Sequence, residues 1–197
     1  MGWEFFDAYA DEYDRWFEEH SAEFLAELAR VREFLPVAGT EVVEIGAGSG
    51  RFTVALGARL GIEPSPALAR MARKRGAEIV RGRAECLPLR TRSVPAALCI
   101  TVICYLDNPL LAFRECFRVL EPEGVFIVAF IERGGLVHQK YLHAPGKHRF
   151  LSRARFYARR EVVGILCSAG FLVERIDPRA GFCLIAARKK EGLAGGV

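Results

Sequence analysis

The chain has 197 residues, is 51% hydrophobic and 26% charged, and carries a net charge of +4. That is enough chain for one domain with a sizeable core, in ordinary soluble proportions. The longest apolar run, Val94 to Leu106, falls short of the roughly 20 residues a membrane helix needs. The opening MGWEFFDAYADEYD shows no basic-then-apolar leader pattern. A cytoplasmic protein without membrane contact is expected. The mild positive charge permits an anionic or nucleic-acid partner but requires neither. Six cysteines are present, with no C-x-x-C pair and no histidine at metal-ligand spacing. They read as small buried apolar groups, and no metal site is expected.

Residues 4–35 read as helical, with a break near His20-Ser21, where Ser21 is placed to cap a second helix. Glu41–Gly46 is a short apolar strand, and a helix begins at Phe52 and runs to Ala58. Arg59–Ile62 is a strand ending at Glu63-Pro64; Pro66–Arg75 is a helix stopped by Gly76. Ala77–Val80 is strand-like, and Ala96–Ile103 is a continuous apolar run suited to a strand buried on both faces. Pro109–Leu120 is an amphipathic helix, Glu121–Gly124 a turn, and Val125–Ile131 another buried strand. Residues 132–160 break the rhythm with glycines, Pro145, three histidines and many arginines. Glu161–Ser168 is helical, and Phe171–Ile176 and Phe182–Ala187 are strands joined by a turn at Pro178 to Gly181. From Lys189 the chain is polar and glycine-rich.

Alternating strands and helices imply a parallel sheet covered on both faces, a doubly wound α/β fold. Ligands in such folds bind beyond the carboxyl ends of the strands. That edge should hold Gly46–Gly50, Glu63, Arg83–Cys86 and Thr101–Tyr105, with the 132–160 excursion leaving from it. We divide the single domain 1–197 into a helical cover (1–38), a ligand-binding core (40–131), a substrate lid (132–160) and a C-terminal helix and hairpin (161–188).

The loop VVEIGAGSGRF (residues 42–52) carries glycines at 46, 48 and 50. It departs from the dinucleotide fingerprint G-x-G-x-x-G, whose third glycine would fall on Arg51, and from the phosphate-gripping G-x-x-x-x-G-K-[ST]. Glu44, just before the loop, would repel a pyrophosphate and suits an ammonium. Glu63, ending the next strand, has two oxygens that match a vicinal diol such as ribose. The pattern calls for a nucleoside with a cationic arm.

At these residues the sequence resembles the class I S-adenosylmethionine-dependent methyltransferases. VVEIGAGSGRF resembles their first motif and GIEPSPALARMARKRG their second, with Glu63 at the ribose position and Met71 further along the helix. GRAECLPL resembles the segment lining the adenine, and RVLEPEGVFIV the late helix–turn–strand motif. Two departures stand out: Arg83 replaces an acidic residue common in relatives, and Ser93-Val94-Pro95 stands where S-F-D is frequent. The resemblance implies a Rossmann-like, seven-stranded, mostly parallel sheet with an antiparallel last strand and a helical N-terminal cover. It implies S-adenosyl-L-methionine as cofactor and S-adenosyl-L-homocysteine as product. By the same resemblance Glu44, Gly46, Ala47, Gly48, Gly50, Glu63, Pro64 and Thr101 contact the cofactor. Ala84 offers a backbone N–H and Glu85 faces the exocyclic amine. Tyr13 and Trp16 close over the site, where aromatic faces favour a sulfonium; simple packing of Phe5, Tyr9, Tyr13 and Trp16 on one helix face is the alternative.

Methyl transfer needs alignment and exclusion of water more than acid–base groups. No catalytic residue is therefore assigned. Tyr105, His138 and His143 are weak candidates, with Thr101, Cys104, Tyr141 and His148 nearby in sequence. Lys147, Arg149, Arg153, Arg155, Arg159 and Arg160 form the most basic stretch. A small-molecule methyl acceptor is expected rather than a nucleic acid. The alternatives are an RNA or protein methyltransferase using residues 147–160 and a non-catalytic cofactor-binding protein. A nicotinamide oxidoreductase is disfavoured by Glu44 and Arg51. The sequence does not indicate an oligomeric state.

Overall fold

The computed structural model describes residues 2–143 and 149–190. Pro145, Lys147 and His148, and the tail from residue 191, lie outside the described residues. Three helices open the chain: α1 (Trp3–Ala8), α2 (Ala10–Glu19) and α3 (Ser21–Arg32). The break at His20 is as expected; a second, at Tyr9, divides what the sequence pattern presents as one helix. Ser21 does not cap: it is the first residue of α3, and His20 takes the cap position with Nδ1 3.0 Å from the Trp16 carbonyl.

Strands and helices then alternate: β1 (Val42–Ile45), α4 (Arg51–Leu56), β2 (Leu60–Ile62), α5 (Pro66–Lys74), β3 (Ile79–Val80) and β4 (Val94–Ile100). After them come α6 (Pro109–Val119), β5 (Leu120–Ile131), α7 (Leu136–His143), α8 (Arg159–Ser168), β6 (Phe171–Asp177) and β7 (Phe182–Lys189). Local chemistry sets the helix starts. Ser65 Oγ accepts from the Leu68 amide at 3.1 Å and Asn108 Oδ1 from the Leu111 amide at 3.0 Å, each just ahead of a proline in the first turn.

Two strand ends differ from expectation. β4 stops at Ile100, because Thr101 turns into the left-handed region (φ 55°) and a 3₁₀ turn follows at Ile103–Tyr105. The Glu121–Gly124 turn sits within β5 as an irregularity: pairing jumps from Val94–Leu120 to Ala96–Val125, with Glu123 at φ 60°.

The seven strands form one sheet in the order β3-β2-β1-β4-β5-β7-β6. All pairings are parallel except those of β7, which runs antiparallel to both β5 and β6. This is a doubly wound Rossmann-like sheet, mostly parallel with an antiparallel last strand as expected, and its switch point lies between β1 and β4. The period of two along each strand divides the core. Ala97, Cys99, Phe126, Val128, Cys183 and Ile185 face one side, packed with Phe113 and Cys116 of α6 and Val162 and Leu166 of α8. Ala96, Leu98, Ile127, Ala129, Leu184 and Ala186 face the other, with Phe17, Leu28, Val31 and Phe52 from α2, α3 and α4. Cys99, Cys116 and Cys183 are buried as expected, whereas Cys86 and Cys167 are exposed.

The N-terminal helices are pinned to the core by ions. Arg51, the residue that breaks the dinucleotide pattern, donates from Nε and Nη2 to the two Asp14 oxygens at 2.8 and 2.9 Å. Arg75 of the α5 end adds a third contact to Asp14 at 3.0 Å. Burial alone would raise the Asp14 carboxyl, but the Arg51 hydrogen bonds and the Arg75 charge hold it at about 2. Asp7 of α1 accepts from Ser65 Oγ and the Ala67 amide, both at 2.7 Å, so α1 sits on the start of α5. Removing the Asp14 charge leaves Arg75 without a carboxylate partner and Arg51 with only the exposed Glu18. Asp14→Asn should therefore destabilise the fold by about 1–3 kcal/mol, measured by urea unfolding; an unchanged midpoint would remove this clamp from the account.

Candidate active site

A cavity of about 260 Å³ opens beyond the carboxyl ends of β1 and β4, beneath α1, α2 and α3. Its floor is the glycine loop. Gly46 adopts φ +77°, and a Cβ there would strike Val102 Cγ2 at 2.3 Å. Its amide and that of Ala47 donate to the Ile62 carbonyl at 2.8 and 3.0 Å, tying the loop to β2. Gly48, at φ +55°, lies against the Tyr13 ring, with Tyr13 Oη 3.2 Å from where a Cβ would sit. A side chain at either position would fill the cradle or deform the backbone.

Glu63 directly follows β2 and is buried. One carboxylate oxygen accepts from the Gly48 amide at 2.9 Å and the other from the Ser65 amide at 2.8 Å. A carboxylate offers about four lone-pair positions, so each oxygen keeps one for a ligand. Burial pushes the carboxyl up to about 7, against the pull of the two amides. Glu44 sits beneath the loop, also buried, accepting from Thr53 Oγ1 at 2.5 Å. Burial raises it to about 8, against the Thr53 hydrogen bond.

Of the residues predicted from sequence, Tyr13, Trp16, Gly46, Gly48, Glu63, Pro64, Thr101 and Tyr105 line the cavity together, with Cys104 beside them. Glu44, Ala47, Gly50, Ala84 and Glu85 do not. Ala47 and Gly50 pack inward against Gly61 and Ala72. Ala84 is buried in the core, and Glu85 lies 3.5 Å from Arg83, which also reaches Asp107 at 2.8 Å.

The candidate bases fare differently. His138 faces Phe156 at 4.3 Å, with Nδ1 accepting from the Gly134 amide, and burial then the Arg133 charge lower its pKa. His143 is exposed, its Nδ1 2.7 Å from the Gln139 carbonyl. Neither lines the cavity. Cys104 and Tyr105 do, but burial pushes the thiol up to about 12 and the phenol well above its usual value. Both stay protonated at neutral pH, which removes Cys104 as a ready nucleophile and Tyr105 as a ready base.

Sequence reasoning missed several wall residues: Trp3, Phe6, Phe17, Glu23, Glu27, Phe52, Val137 and Leu151. A signal for Glu27 was present. It stands within the α3 stripe formed by Phe24, Leu28 and Val31, all in the core cluster, where a charge is out of place. Phe150, the aromatic residue of the basic stretch that reaches the wall, stacks on Phe6 at 5.4 Å and meets the rings of Phe5 and Tyr13 at 5.6 Å.

Comparison with known proteins bears on this geometry. A family model described as a methyltransferase domain matches residues 43–128. The crystal structure of a SAM-dependent methyltransferase from Thermotoga maritima, described as a possible histamine N-methyltransferase, is 35% identical with a TM-score of 0.87. The match covers 95% of this chain and 99% of that one. The chain belongs to the S-adenosylmethionine-dependent methyltransferases. An uncharacterized protein of Methanocaldococcus jannaschii is 31% identical over 166 residues, 84% of this chain and 80% of its own length. The putative methyltransferase solved with the Haloferax volcanii Trm112 methyltransferase activator is 22% identical, covers 94% of this chain and 98% of its own, and shares the fold at a TM-score of 0.75.

S-adenosylmethionine is the cofactor of this methyltransferase, and the Glu63 environment fits it, since two free acceptor positions match a diol. Glu63→Gln turns one acceptor oxygen into a donor. Calorimetry should then show S-adenosylmethionine affinity lower by roughly 1–3 kcal/mol. The raised Glu63 carboxyl favours the fold when protonated, so the ligand-free protein should lose stability as pH rises through about 7. That loss should shrink in Glu63→Gln; unchanged affinity and an unchanged pH profile would take Glu63 out of the site.

Proposed function

We propose that this methyltransferase acts on a small-molecule acceptor enclosed in the same cavity as the cofactor. The observation that carries the reading is the aromatic cover over the strand ends. Aromatic side chains of α1 and α2 meet Phe150 and Leu151 over the strand ends, giving an apolar chamber of small-molecule dimensions. The description of the Thermotoga maritima relative as a possible histamine N-methyltransferase is in keeping with an acceptor of this size.

Bound there, S-adenosylmethionine supplies an electrophilic methyl group on a sulfonium sulfur. Glu63 and the Gly48 amide would hold the ribose end, and the faces of Tyr13 and Trp16 suit the cation. With Cys104 and Tyr105 protonated and the histidines elsewhere, the chain's own residues act by orientation and by keeping water out. Residues 136–143 and 149–157 form a lid in this reading: Val137, Phe150 and Leu151 line the cavity, and the Arg155 amide donates to the Cys104 carbonyl at 2.8 Å.

The basic stretch favours this role over a nucleic-acid surface. Arg149 reaches Glu12 at 3.3 Å and lies over Tyr9, and Arg153 lies over Phe5 at 4.2 Å. Arg155 covers Tyr157, and Arg159 is 3.8 Å from Glu132. Their charges join the lid to the cover and to neighbouring elements.

Incubation with methyl-labelled S-adenosylmethionine and an extract of the source cells tests the reading. Label should enter small material that resists nuclease and protease. Label lost to ribonuclease or protease treatment would assign the acceptor to a macromolecule and overturn the proposal.

A further inference from the structure

The charges on the cavity wall all have one sign. Glu23, Glu27 and Glu63 line it, and no lysine, arginine or histidine does so among the described residues. The chain as a whole is positive at +4, so the sign is local to this chamber. Glu63 is held by two amides at the cofactor loop. Glu23 and Glu27 stand on a different element, α3, one helical turn apart on the same face.

Neither of these two carboxylates has a hydrogen bond or ion pair with another described residue. The nearby cation, Arg30, is committed to Asp177 at 3.1 Å and to the carbonyls of Asp177 and Arg179. Like charges at this spacing repel, and Glu27 lies among the apolar residues Phe24, Leu28 and Val31. The fold thus keeps a carboxyl without a hydrogen-bond or ion-pair partner, with only the Arg30 charge nearby, against aromatic walls, namely Trp16, Phe17 and Phe52. An anionic guest would face three carboxylates with no cation on the wall, whereas a cation gains both the carboxylates and the ring faces.

We propose that the methyl acceptor is an organic cation whose charged group, anchored by the Glu27 carboxylate with Glu23 beside it, is separate from the uncharged atom whose lone pair takes the methyl. The inference rests on the small-molecule reading above and names its substrate class. Glu27 is the specificity determinant: it selects the charge of the guest and positions it, while Glu63 serves the cofactor. Burial pushes the Glu27 carboxyl up to about 7, against the Arg30 charge and helped by Glu23. Guest binding should therefore strengthen as pH rises from 6 to 8, because ionised Glu27 is the form that pairs with a cation.

Calorimetry on the protein saturated with S-adenosylhomocysteine tests this with three probes of similar shape: 2-phenylethylamine, 2-phenylethanol and 3-phenylpropionate. The amine should bind at least tenfold more tightly than the alcohol or the acid. Glu27→Gln should cut amine affinity at least tenfold and abolish its pH dependence, with S-adenosylhomocysteine affinity kept within twofold. Glu19→Gln, which removes an equal charge from the exposed end of α2, should leave amine binding unchanged. Equal binding of the alcohol or acid, no amine binding, or an unchanged Glu27→Gln would overturn the inference. So would a Glu27→Gln effect confined to S-adenosylhomocysteine, which would assign Glu27 to the cofactor. Failure of the small-molecule reading would show separately, as methyl label found only in macromolecules.

Discussion

The site depends on one buried carboxylate. Glu63 joins the glycine loop to the start of α5 by accepting one amide from each. The loop reaches Glu63 only because β1 and β2 pair in parallel with Ile45 opposite Ile62. The Ile62 carbonyl then receives the Gly46 and Ala47 amides and turns the chain back over the strand end. Burial makes that carboxylate costly when charged. The two amides offset part of the cost, and a ligand that donates further hydrogen bonds would offset more. A site that is uncomfortable when empty and satisfied when filled is a physical basis for tight nucleoside binding.

The helical cover follows from the same region. Asp7 reaches the start of α5, and Asp14 clamps Arg51 and Arg75. The cover therefore attaches to the elements that flank the glycine loop. Its aromatic side chains then have nowhere to go but over the strand ends, where Phe6, Tyr13, Tyr105 and Phe150 pack edge to face or stacked. Thr101, a β-branched residue at φ 55°, marks strain at this same edge. Strained backbone of this kind persists where surrounding structure holds it, often at functional sites.

Much of this was legible in the sequence because its causes are local. The glycines at 46, 48 and 50, the carboxylate at 63 and the proline-led helices are set by backbone sterics and short-range hydrogen bonds. The continuous apolar runs at 96–103 and 125–131 announced strands buried on both faces. What was not legible depends on distant packing. Arg51 looked like a flaw in a glycine pattern, and only the folded chain shows it paired with Asp14. The basic stretch offered a surface for an RNA or protein substrate, yet Arg149 and Arg153 lie on rings of α1 and its junction with α2. His138 and His143 were named for their chemistry alone, and helix α7 carries them off the cavity wall. Glu27 showed as a charge in an apolar stripe, but its cavity is formed by residues far apart in the chain.

A crystal structure of the protein with S-adenosylhomocysteine tests the central claim most directly. The account predicts both ribose hydroxyls on the Glu63 carboxylate, the sulfur end beside Tyr13 and Trp16, and the remaining space bounded by Glu23 and Glu27. A ligand bound away from the glycine loop, or one leaving Glu63 in contact with Gly48 and Ser65 alone, would contradict it.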